Sequence, residues 1–224
     1  MGLPMNREIL EELQSVLKGK TLDALIPPLV FVLLQSRVEL WIAGLAASLV
    51  SLGFAGWRRT KKQTAGYALG GLVSVILATA FALYANSASN YFLPGVLSNT
   101  AITIGLLVLV ILDRPVAAYL SHLTRGWKLD WFWRKDVKPA YREVSWFWTL
   151  AFVIATSLRW YYYLQGDVAA LAVLSTILGL PFTIAILIPA YIYGLWRLRQ
   201  LKGPGIEEYL EGKSPPYRGQ TRGF

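Results

Sequence analysis

Apolar residues along this chain gather into long runs, broken by short polar and cationic stretches. The runs cover residues 22–36, 40–57, 65–85, 96–112, 144–164 and 168–196. A helix needs roughly 20 apolar residues to cross a bilayer, with a usable range of about 17 to 25. The pattern therefore predicts an all-α fold, a polytopic bundle of six transmembrane helices over residues 22–196. The first run is short and is expected to begin nearer Gly19. Only Arg37, Val38 and Glu39 part it from the second, which implies a tight hairpin. The sixth would extend roughly 43 Å at about 1.5 Å per residue. It should tilt, kink or leave the bilayer at one end.

Outside the runs, three segments stand apart. In residues 1–21, Ile9, Leu10, Leu13, Val16 and Leu17 recur at helical spacing, with Asn6 placed to cap and Glu8 in the first turn. This predicts an amphipathic helix lying along the membrane surface. Residues 113–143 form a loop that mixes bases with aromatics, Trp127, Trp131, Phe132 and Trp133 among them. Residues 197–224, rich in Gly, Pro and charge, read as a flexible tail.

Composition agrees with membrane residence. Of 224 residues, 55% are hydrophobic and 16% charged, where a soluble domain carries about 25% charge. Cysteine is absent and His122 is the single histidine, which excludes thiolate metal sites, iron–sulfur clusters and bis-histidine haem. The net charge of +9 first suggests nucleic acid. Its distribution argues otherwise. Of the 22 Lys and Arg residues, all but Arg37 and Arg159 fall on one side of the expected bundle. The positive-inside rule then places both termini in the cytoplasm. The expected location is a prokaryotic inner membrane, with membrane lipid as partner and no nucleic acid. A cleaved signal peptide is rejected, because Glu8, Glu11, Glu12 and Asp23 precede or open the first run.

Trp and Tyr at the ends of the runs match an interfacial belt, and Trp127, Trp131 and Trp133 are expected to anchor at headgroup level. Gly66 and Gly70 make a G-x-x-x-G pair, and Gly44, Ala47, Ser48, Ser51 and Ala55 line part of the second run. Small residues let helices approach closely in lipid. Contact within the bundle, or a homodimer face, follows.

A few polar residues resist this plain reading. Arg159 lies inside the fifth run, where a charge is costly and normally paired. Glu39, Asp167, Arg37 and Asn99 are the candidates to join it in an external polar vestibule for an anionic group, along with Asn90. Gly179 and Pro181 fall near the middle of the sixth run and predict a helix break. Carriers place substrate sites at such breaks, yet the chain has no deep coupling carboxylate. Nor is there an H-E-x-x-H, a G-x-S-x-G or a Walker loop. No catalytic residue, metal ligand or cofactor is expected.

The stretch Tyr91-Phe92-Leu93-Pro94-Gly95, then Asn99, leads into an apolar run that ends at Arg114-Pro115. With Pro27 and Phe31 in the first run, Arg159, and Gly179-Leu180-Pro181, the chain from about Leu22 to Trp196 resembles an uncharacterised bacterial membrane family of unknown function. That family is more remotely similar to intracellular septation protein A. The resemblance implies a six-span inner-membrane protein, and through the septation relatives a part in envelope integrity or division. Three functions are consistent with the residues. The first is a non-enzymatic scaffold or lipid organiser working through the 113–143 loop. The second is a small permease or lipid carrier using Arg159 and the Pro181 hinge. The third is an accessory subunit of a larger membrane complex.

Overall fold

The computed structural model describes residues 20–60, 65–220 and 223–224. The surface helix expected over residues 6–17 lies outside the described residues. Among those described, every regular element is helical: α1 Lys20–Gln35, α2 Leu40–Thr60, α3 Ala65–Tyr84, a 3₁₀ turn Ala88–Phe92, α4 Leu93–Ile111, α5 Val116–Arg125, α6 Leu129–Phe132, α7 Lys138–Leu164, α8 Val168–Ile177, α9 Leu180–Leu201 and α10 Ile206–Leu210. Three stretches are long and apolar enough to cross a membrane: Leu40–Trp57, Ala88–Ile111 and Val168–Leu201. Shorter apolar stretches occupy Ile26–Gln35 and Gly70–Tyr84. The chain is accordingly a membrane-embedded helical protein.

Three helices end by one device. After α3, Asn86 takes a left-handed φ of 48° and Ser87 N–H donates to Ala82 O at 3.0 Å. Beyond α4, Asp113 has φ 55° and Arg114 N–H donates to Leu109 O at 2.8 Å. Past α7, Gly166 has φ 68° and Asp167 N–H donates to Tyr162 O at 3.1 Å. Each is a six-to-one closure that satisfies carbonyls otherwise left open at a helix end. Asn, Asp and Gly are the residues that tolerate that backbone.

The chain divides into two compact units. The first contains the chain up to Val96 together with Arg159–Leu180. In it α2 packs on α3, and α1 on α2 and α8. The contact surface is built from small residues: Ala43 and Ala47 on α2, Ala78 and Ala82 on α3, all buried. Gly44 lies so close to Thr79 that an added Cβ would stand 2.1 Å from its methyl carbon. Phe31 and Tyr91 stack with ring centroids 4.0 Å apart and planes at 14°. Gly70 sits on an open face, with nothing within 4 Å of an added Cβ.

The second unit contains Leu97–Leu158 and Pro181–Phe224. Its core holds Trp131, Phe132, Val137, Tyr141 and Val144 with Leu198, Ile206 and Phe224. Residues 113–143 are thus not a loose loop: α5, α6 and the start of α7 fold on one another. The tail needs a larger correction. Beyond residue 196, α9 runs on to Leu201 and α10 follows, with Gln220 and Phe224 buried. Aromatic burial and close glycine contacts hold this segment, where composition alone suggested flexibility.

The sixth run is two helices. α8 stops at Ile177, Leu178 and Gly179 form the joint, and α9 opens at Leu180. Pro181 cannot donate to the carbonyl of Ile177, so a continuous helix loses that bond; in the first turn of α9 the missing N–H costs nothing. A Cβ on Gly179 would meet Ser175 O at 3.0 Å, which favours glycine at the joint.

Candidate functional sites

Two places gather polar chemistry, one in each unit. In the first unit, Arg159 projects from α7 and is only 7% exposed. One of its terminal nitrogens, Nη2, donates to Leu178 O at 2.8 Å. Leu178 is the residue that caps the end of α8, so the joint between α8 and α9 supplies the carbonyl that the guanidinium meets. The carboxylates expected beside Arg159 are engaged locally. Glu39 accepts from Trp41 Nε1–H at 2.5 Å, and Asp167 caps α8 by accepting from Ala170 N–H at 2.9 Å. Among the described residues no carboxylate forms an ion pair with Arg159. Arg37 is exposed in the turn between α1 and α2. Asn99 lies on α4, in the second unit. Near the end of α7, Tyr163 donates its hydroxyl to Asn90 Oδ1 at 2.5 Å.

In the second unit, α5 begins at Val116 behind Pro115, and its early N–H groups need acceptors. Ser145 Oγ on α7 accepts from Ala117 N–H at 3.1 Å while donating to Tyr141 O at 2.7 Å. The inner face of α5 is Ala117, Ala118 and Ser121. Its outer face shows Leu120 at 44% and Leu123 at 80% exposure. At its end His122 Nδ1–H donates to Trp127 O at 2.5 Å, and Gly126 closes the helix at φ 70°.

Trp131, expected at headgroup level, is completely buried, and its Nε1–H donates to Pro204 O at 3.0 Å. That bond ties α6 to the chain entering α10. Gly203 passes so near Asp136 that an added Cβ would lie 2.6 Å from its carbonyl oxygen. Trp127 and Trp133 are half-buried. Arg125 sits 5.0 Å over the Trp127 ring, and Arg114 5.3 Å over that of Trp133. These contacts hold guanidinium groups above aromatic faces. Arg114, Arg125, Lys128, Lys135 and Arg142 are all exposed.

Carboxylates in this unit serve structure. Asp113 accepts a hydrogen bond from Lys138 and lies 3.9 Å from Arg142. The Lys138 hydrogen bond, with the neighbouring cations, holds its carboxyl below the usual range. Glu143 takes a two-pronged bond from Arg197, at 2.9 Å from Nε and 3.0 Å from Nη2, plus the Tyr193 hydroxyl at 2.6 Å. Those bonds, that from Arg197 first, depress it likewise. Glu208 accepts from the N–H groups of Gly205, Arg218 and Gly219 at 3.0, 2.8 and 3.1 Å. It is also held low, chiefly by Arg218 N–H. Sequence reasoning did not single out Glu143 or Phe224, and read Glu208 only as part of an acidic patch with Glu207 and Glu211. Their partners lie on other helices, far along the chain or across a turn.

The model of a family described as "Protein of unknown function (DUF3159)" matches residues 19–199, and the chain belongs to that family. No curated protein and no solved structure matches it.

Proposed function

We propose that the protein is a non-enzymatic, six-span component of a bacterial inner membrane that organises anionic lipid, and proteins recruited to it, at its cytoplasmic face. The observation that carries this is the folded state of residues 113–143. This folded segment leaves Arg114, Arg125, Lys128, Lys135 and Arg142 exposed, and its helix α5 turns Leu120 and Leu123 outward. An apolar helical face edged with cations is the pattern of an interfacial helix drawn to anionic headgroups. The excess of cations on one side of the expected bundle supports a cytoplasmic position for that face.

The test uses the full-length chain reconstituted with equal amounts of phosphatidylglycerol and phosphatidylcholine. Native mass spectrometry should find phosphatidylglycerol enriched among retained lipids. The double change K128E/K135E should reduce that enrichment several-fold. Equal retention of both lipids by the unaltered protein would defeat the reading.

A further inference from the structure

We infer that Arg159 is a binding site for a phosphate-type oxyanion within the first unit, distinct from the cationic module of the second. A guanidinium has five N–H donors and no acceptor. Here one donor meets Leu178 O at 2.8 Å, and the residue is 7% exposed. Among the described residues no carboxylate pairs with it; Glu39 and Asp167 bond instead to Trp41 and to the cap of α8. A buried cation that lacks a counter-charge is among the most costly arrangements a membrane protein can hold. One backbone carbonyl is a partial dipole and does not neutralise it.

The location suggests what completes the site. Arg159 lies five residues before the end of α7 at Leu164, about 7.5 Å along the helix at roughly 1.5 Å per residue. Tyr161, Tyr162 and Tyr163 follow it, as in an interfacial belt. The guanidinium itself reaches inward from there, to Leu178 O just beyond the end of α8. The planar fork of arginine binds two oxygens of phosphate at once, which a carbonyl does not exploit. Bound to Leu178 O, the guanidinium is also fixed in direction, so little freedom remains to be lost on capturing the anion. The same chemistry admits a phospholipid headgroup or a soluble phosphate.

Full-length protein, R159Q and R159K would be purified in a neutral detergent. Thermal unfolding would be followed while titrating inorganic phosphate in one arm and short-chain phosphatidylglycerol in the other. Unaltered protein should be stabilised in at least one arm, and that arm identifies the source. R159Q should lose at least about tenfold in apparent affinity there. R159K keeps the charge and so protects folding, but should still weaken binding because an ammonium lacks the fork. Stabilisation that is the same in R159K as in unaltered protein, or absent from both arms, overturns the inference. In the K128E/K135E background the part of the stabilisation lost on R159K should be unchanged, even where the total response to phosphatidylglycerol falls, which separates this site from the lipid-organising role above.

Discussion

Phe224 lies face to face with Tyr141, ring centroids 4.3 Å apart and planes within 9°. The ring is pressed against the backbone of α9, where a Cβ on Gly194 would stand 2.4 Å from it. A residue 83 positions along the chain from Tyr141 therefore closes the same core. Replacing Phe224 by Ala should cost about 3–5 kcal/mol, the range for emptying a buried aromatic site. Equilibrium unfolding in mixed micelles would measure it. Trypsin cleavage after Arg218 should rise in parallel as residues 203–220 loosen.

Trp131 offers a finer test, because its ring and its N–H serve separate ends. Trp131→Phe keeps most of the buried ring but leaves Pro204 O without its donor. The expected loss is about 1–3 kcal/mol, the cost of an unsatisfied buried polar group. The same unfolding assay would register it. A loss near that of Phe224→Ala would mean the ring volume matters more than the hydrogen bond.

In the other unit, the approach of α2 to α3 depends on Gly44 facing Thr79. Gly44→Ala should destabilise by about 1–3 kcal/mol through overpacking. Thr79→Ser removes the methyl carbon in the way. The pair G44A/T79S should recover most of the loss, and a double-mutant cycle would show the coupling.

Acid should weaken the second unit. Asp113, Glu143 and Glu208 all have carboxyl groups held below their ordinary values in the folded state. A depressed folded value means the unfolded chain binds protons first as pH falls. The contribution to stability is thus complete above the unfolded value of about 4. It disappears as pH drops through the folded values. Replacing Glu143 by Gln should flatten the acid limb of a stability-against-pH curve, with little change in its slope near neutrality.

How much of this was legible beforehand depends on the physics that each feature uses. Helices α1 to α4 and α7 lie close to the expected runs because apolar length is a local signal. The joint at Gly179 was visible too, since proline removes a donor wherever it stands. The packed state of residues 197–220 and of Phe224 was not. Gly203, Gly205 and Gly223 looked like flexible chain, yet Gly203 and Gly205 serve as points of close backbone approach. Trp131 looked like a headgroup anchor because its neighbours are basic; its burial depends on Tyr141 and Pro204, which no local pattern connects to it. For Arg159 the sequence marked an exceptional charge, but the carbonyl it meets lies at the joint after α8, 19 residues along the chain, which no local pattern connects to it.

The absence of cysteine from the chain makes the most direct test of the central claim a clean one. Leu123→Cys, labelled with an environment-sensitive fluorophore, would report where the outer face of α5 rests in full-length protein reconstituted with phosphatidylglycerol. Quenching by lipids brominated high on their acyl chains, together with protection from aqueous iodide, is the predicted result. Free quenching by iodide and none by brominated lipid would place that face in water and contradict the account.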